Sequence, residues 1–392
     1  MEGSLVSAGI TKEQSRIIKG VAILLMVYHH LFLLTGTAPN EALHFFIPEF
    51  TTKLAYFGKI CVGLFAFITG YSLYKSYDRI NSTATGTRSF TLNAYAYASK
   101  HILSLYGLYI LSFIIIAPIE YLTGVNPHSI SSISAIIHNI LAVNHMIPGS
   151  WNALSTYDGS VWYLPFYASM LLFFPIIHMF FELLFGEKNR KKMDILVSIL
   201  ISGITTMLAL FLFVILILLP SPSLSNFVYA IKQLLMPSFA ACMFIGYLFS
   251  RFSIYERIWD KLHNKHVLLH LISSILSLII IFVLRSLLAG DNPAYASLDF
   301  IMVPILVMSL LTIIGYIKPV GLALGFLGKH STFIWFTHLH FVALLGPKLL
   351  SFIHIPVVYY VVIVLLSLLT LIVLTFIVKK VTALLSKPAN NK

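Results

Sequence analysis

Apolar runs of about twenty residues alternate with short polar stretches along this chain, and the first run reads "RIIKGVAILLMVYHHLF". Runs of that length suit helices that cross a bilayer, whereas barrel strands alternate over about ten residues. The pattern predicts an all-α, polytopic membrane bundle of ten helices. Their limits fall near 17–35, 56–75, 99–118, 161–184, 195–219, 232–250, 267–288, 298–317, 331–349 and 356–378. Pro165 and Pro175 lie inside the fourth run, which a membrane helix tolerates.

The polar stretches sort by charge. One side receives Lys12, Arg16 and Lys19, the 75–100 loop, "EKNRKK", "RFSIYERIWDKLHNK", Lys318 with Lys329, and the tail from Lys379. The other side receives little beyond Lys53 and Lys348. The positive-inside rule then places both termini in the cytoplasm of a cell-membrane protein. It divides the chain into a cytoplasmic segment 1–16, an integral membrane domain 17–378 and a basic cytoplasmic tail 379–392. The first run is too long for a cleaved signal peptide and lacks a small-residue cleavage site after it.

Composition agrees. The 392 residues are 58% hydrophobic and 10% charged, against about a quarter charged in soluble domains. Mean hydropathy is +0.91. The net charge of +12 follows largely from the loop asymmetry, so it calls for no nucleic-acid partner. Cys61 and Cys242 both lie in apolar runs and read as small buried hydrophobes, not as a disulfide framework.

Candidate chemistry begins with His29 and His30, deep in the first run. Ionisable groups at such depth face a protein interior or a watered cavity. Adjacent residues point about 100° apart on a helix, so the two histidines need not share a role. Lys19 precedes His30 by eleven positions, which returns a helix to nearly the same face about 16 Å along the axis. A cation at the mouth and an imidazole deeper in one groove would suit a long carrier with phosphates at one end and a reactive group at the other. Coenzyme A is such a molecule. In the ninth run, "FLGKHSTFIWFTHLHF", Lys329 stands nine positions before His338, with Ser331 on the His338 face and His340 turned elsewhere. Neutral imidazole accepts a proton at cellular pH, so His30 is the candidate general base for an attacking hydroxyl. His338, Ser331 or Tyr163 could orient the acceptor or the developing oxyanion. No H-E-x-x-H, P-loop or G-x-S-x-G pattern is present, and no metal site is expected. The outer loop 119–160 is almost uncharged. Its "ISAIIHNILAV" predicts a short helix, and Asn144, His145, Trp151 and Asp158 are candidates for covering or recognising a sugar.

These residues resemble the acyltransferase 3 family of integral membrane acyltransferases. "KGVAILLMVYHH" places Lys19 and His30 on the family's first-span pattern. "CVGLFAFITG" resembles its G-V-x-L-F-F-x-x-S-G, with Thr69 and Gly70 closing it. "SVWYLPFYASMLLFFP" resembles L-W-Y-L followed by L-F-P, with Trp162, Tyr163 and Leu164 in place. The ninth run resembles L-G-K-x-S-x-x-x-Y-L-x-H, with Lys329, Ser331 and His338 matching and Trp335 at the tyrosine. The resemblance implies an acyl-CoA donor from the cytoplasm, acetyl-CoA foremost, and the first-span histidine as the catalytic residue. The acceptor it implies is a hydroxyl of a cell-envelope glycan or lipid-linked sugar. There are departures. Where many members open the third span with arginines, this chain has Lys100 and His101, with Ser104 in place of the third. A phosphate-binding mouth of Lys19, Lys100, His101 and Lys329 then survives in part, with Arg88 or Lys75 left to compensate. The glutamate many members carry in the fourth span falls at Tyr167. An exporter of glycan or solute and a non-catalytic binding subunit remain as alternatives, and a homodimer stays open.

Overall fold

Each apolar run that the structure describes folds as a helix, because in lipid every backbone N–H and C=O must find its partner within the segment. The computed structural model describes residues 9–33, 47–124, 130, 132–143, 160–185, 236–262, 267–288 and 296–385. In chain order the helices are α1 Lys12–Leu33, α2 Pro48–Gly58, α3 Cys61–Thr83, α4 Thr87–Thr123 and α5 Ile133–Leu141. There follow α6 Tyr163–Phe185, α7 Pro237–Arg251, α8 Ile254–Leu262, α9 Val267–Leu288 and α10 Asp299–Gly315. α11 Lys318–Lys329, α12 Ser331–Leu350 and α13 Pro356–Leu385 complete the set. The described residues contain no strand.

Local chemistry marks the helix ends. Thr11 and Gln14 form a reciprocal capping box at the start of α1: the Thr11 hydroxyl accepts from Gln14 N–H at 3.1 Å, and Gln14 Oε1 accepts from Thr11 N–H at 2.8 Å. Proline opens α2, α7 and α11, where its missing N–H costs nothing. Gly124 ends α4 at φ 69°, a left-handed cap that glycine adopts without strain. The expected short outer-loop helix is present as α5, capped by Ser132.

The expectation of ten membrane-crossing helices is corrected to five among the described residues. These are Lys12–Leu33, Pro48–Thr83, Thr87–Thr123, Tyr163–Glu182 and Val267–Leu287. The expected eighth, ninth and tenth spans are α10, α12 and α13, of which the apolar stretches Asp299–Gly315, Ser331–Leu345 and Pro356–Thr370 are described throughout. The sixth is α7, with only 15 residues because Pro237 starts it late. The fifth, 195–219, lies outside the described residues, as do 1–8 and 386–392, so the sides on which the termini emerge stay an expectation. The protein is an all-α, multi-pass membrane protein.

Two close helix crossings build the centre. Where α3 meets α7, a Cβ on Gly70 would stand 1.8 Å from the Met243 carbonyl oxygen, and one on Gly246 would stand 2.0 Å from that of Phe67. Where α1 meets α11, a Cβ on Gly20 would fall 2.0 Å from the Leu324 oxygen, and one on Gly328 would fall 1.8 Å from that of Arg16. Small residues allow this backbone contact, which substitutes for a hydrophobic force that lipid does not supply. α9 instead presents Leu268, Leu276, Ile280 and Leu287 outward, as a lipid-facing surface does.

Several charged groups inside the bundle are paired. Arg285 on α9 bonds Asp299 on α10 at 2.6 Å, with both side chains 0% exposed. His340 on α12 meets Glu120 on α4 at 2.7 Å, and Arg251 pairs with Glu182. Sequence reading singled out none of these pairs.

Candidate active site

A cavity of about 480 Å³ opens between α1, the start of α3, α6 and the start of α12. Lys19, His29, His30, Tyr163 and Ser331 all line it. The helical register that sets Lys19 and His30 on one face of α1 therefore places them along a single chamber, about 16 Å apart in axial rise. Aromatic rings from Trp162, Tyr163, Tyr167 and Trp335 form much of the opposite wall. Tyr163 and Trp335 meet edge to face at 5.7 Å, and the Trp335 indole N–H donates to the Ser160 carbonyl at 3.2 Å. The Tyr163 hydroxyl is buried, with the Thr69 side chain of the same wall beside it.

His338 does not line the chamber but stands directly behind its histidine. His30 Nδ1 and His338 Nε2 are 2.6 Å apart. The rings lie 10° from coplanar with centroids 4.9 Å apart, so with nitrogens in contact they meet edge to edge. The partners fix the tautomers. His338 Nδ1 faces the carbonyl oxygens of Ile334 and Trp335 at 2.9 and 2.8 Å, and a carbonyl only accepts. His338 therefore carries its proton on Nδ1 and offers a lone pair at Nε2. His30 donates to it from Nδ1, which leaves the His30 Nε2 lone pair free for chemistry. A second histidine thus does for His30 what a carboxylate does in a hydrolase triad, holding one tautomer and orientation.

His29 plays a different part. Its Nδ1–H donates to the Ala55 carbonyl of α2 at 2.8 Å, tying α1 to its neighbour. His340 turns away to Glu120, as the two-residue offset from His338 requires.

The remaining expected site residues divide. Lys19 is half-buried in the chamber wall. Lys100, His101, Lys329 and Arg88 are exposed and lie outside the wall. His101 is nonetheless within electrostatic range of both Lys100 and Lys19, and packs its ring 4.3 Å from that of Tyr97. The contact of Gly328 with the Arg16–Gly20 turn sets Lys329 beside the same mouth. Nothing in the structure brings Arg88 there. Lys75, the other candidate replacement, donates instead to the Ile10 carbonyl at 3.2 Å. Asn144, His145, Trp151 and Asp158 lie outside the described residues.

Sequence reading missed Lys59. It sits between α2 and α3 and lines the chamber near His29 and His30, acting electrostatically on both rings. The one signal available was a lysine directly before "ICVGLF", inside an apolar run. No group of three or more His, Cys, Asp or Glu side chains among the described residues could hold a metal ion.

No curated protein and no solved structure matches the chain. The family model described as an acyltransferase domain, that of the acyltransferase 3 family, matches residues 14–376. That match takes in every helix that walls the chamber and nearly the whole chain. The protein belongs to the acyltransferase 3 family of membrane acyltransferases.

Proposed function

We propose that the protein is an O-acyltransferase that moves an acyl group, acetyl foremost, from cytoplasmic acyl-CoA to a hydroxyl of a cell-envelope or exported glycan. The membrane domain 17–378 carries the chemistry, and both termini stay in the cytoplasm. The observation that carries this reading is the His30–His338 pair at 2.6 Å, with His30 facing a chamber that runs back to Lys19.

Lys19 holds the phosphates of coenzyme A at the mouth, with Lys100, His101 and Lys329 adding positive charge around it. The pantetheine arm extends along the chamber and sets the thioester beside His30. The acceptor hydroxyl attacks the thioester carbon as its proton passes to His30 Nε2. His338 accepts from the other edge of the ring and stabilises the imidazolium. The tetrahedral adduct then re-forms its carbonyl, the carbon–sulfur bond breaks, and the leaving thiolate takes the proton from His30. Ser331 and Tyr163, both on the wall, orient the acceptor hydroxyl.

Purified protein supplied with labelled acetyl-CoA and an envelope fraction should transfer label. His30→Ala should lower the rate by about 10²–10⁴-fold, the usual contribution of a general base. Normal transfer by that variant, expressed at wild-type level, ends the assignment of His30. Transport of an unmodified glycan without acyl-CoA would favour the exporter reading.

A further inference from the structure

We infer that the adenine base of coenzyme A rests on the His101 ring, which Tyr97 backs, at the mouth of the chamber. The inference rests on the acyl-CoA reading above and gives the nucleotide half of the donor its place.

Helix register locates the subsite. Tyr97, His101 and Leu105 stand four residues apart on α4, so they share one face and follow one another a turn at a time. Leu105 lines the chamber. The Ser112 hydroxyl donates to the Phe336 carbonyl at 3.4 Å, and the His340–Glu120 pair lies further along both helices. α4 and α12 therefore run side by side in one direction. Back along α4 from Ser112 is Leu105, and back along α12 from Phe336 is Ser331, its first residue. Both are on the chamber wall. Leu105 thus belongs to the end of the chamber where α12 begins, about 10 Å below the level of His338. His101 comes one turn beyond it, outside the wall and exposed. Its electrostatic reach to Lys19 sets it at the same mouth.

Packing makes this ring a platform. Tyr97 stands edge to face with Tyr77, centroids 5.9 Å apart, and its hydroxyl lies 3.1 Å from that of Ser76. These two contacts with α3 hold Tyr97 in one orientation. His101 in turn packs its ring 4.3 Å from that of Tyr97. A ring held this way loses little conformational freedom when a flat ligand settles on it.

Charge names the ligand. His101 is a flat, exposed ring within electrostatic range of two ammonium groups, Lys19 and Lys100. A nucleotide carries the matching pair of features, a base with a π-face and phosphates a few bonds away. Coenzyme A is the nucleotide whose remaining part is an arm slender enough to follow the chamber from Lys19 to His30. Its phosphates are too costly to draw into the membrane interior, so the adenosine stays at the rim while the arm enters. The rim on the α4 side is His101.

Two ligands that differ by the nucleotide test this: coenzyme A and 4′-phosphopantetheine, titrated against the purified full chain in detergent. Wild-type protein should bind coenzyme A at least about tenfold more tightly. His101→Ala should weaken coenzyme A by about 5- to 150-fold, the effect of removing an aromatic ring from beneath a base. Its affinity for 4′-phosphopantetheine should stay unchanged, which also reports an intact chamber. His101→Phe, a ring without charge, should retain most of the preference. His101→Lys, a charge without a ring, should lose it. Equal loss of both ligands in His101→Ala, an unchanged preference in that variant, or rescue by Lys and not by Phe overturns the inference. So does a wild-type protein indifferent to the nucleotide. A wild-type protein that binds neither ligand overturns the acyl-CoA reading itself, and the inference with it.

Discussion

At the scale of single residues, His338 deserves its own test because it reaches the reaction only through His30. His338→Gln keeps a polar side chain but not the imidazole lone pair that accepts from His30 Nδ1. Transfer should fall by roughly 10²-fold in kcat, with coenzyme A affinity unchanged, since no wall contact is lost. Initial rates beside coenzyme A titrations separate this from a collapsed site, which would lose both. Some of this was legible beforehand. Lys19 and His30 share a face because α1 runs uninterrupted from Lys12 to Leu33, so residue spacing converts directly into distance. The depth of His338 was legible for the same reason, but its hydrogen bond was not, because that depends on how α1 and α12 pack. Lys59 escaped altogether. In one dimension it is a lysine in an apolar run, and only the interruption between α2 and α3 turns it into the chamber.

At the scale of elements, the α3–α7 crossing holds the inner wall. Gly246→Ala puts a methyl 2.0 Å from the Phe67 carbonyl oxygen, a backbone atom that cannot swing aside. Overpacking of this kind costs about 1–3 kcal/mol. The variant should unfold at lower temperature in detergent, whereas Gly107→Ala, with nothing within 4 Å, should not. An unshifted Gly246→Ala melt would mean that the helices can part locally. Glycine positions were visible in the sequence, yet which partner each one touches was not. Gly70 and Gly246 lie 176 positions apart, and no periodicity within either helix reports the other.

At the scale of the molecule, membrane class was legible because hydropathy and charge act over whole segments. Among the described residues, the number of helices long enough to cross was not. A run such as 298–317 satisfies a hydropathy count, but its helix is Asp299–Gly315, a turn shorter than a comfortable crossing. The same loop charges predict the side on which the mouth opens. Lys329 is exposed beside Lys19, and Cys61 and Cys242 are buried. A Lys329→Cys variant should therefore react with a membrane-impermeant maleimide in inside-out vesicles and not in intact cells. Labelling from outside the cell would invert the whole arrangement and send the donor to the wrong face.

Among the described residues no carboxylate lines the chamber wall, and this reaches further than the donor. A protonated amine approaching His30 would meet lysines and imidazoles on that wall and no carboxylate among its described residues, whereas a neutral alcohol needs no counter-ion. On the proposed function, the chamber should therefore favour oxygen over nitrogen nucleophiles before bond-making begins. An acceptor offered as a free amino sugar should then be acylated more slowly than its N-acetylated counterpart, and equal rates with the two would show that the electrical lining of the passage does not select.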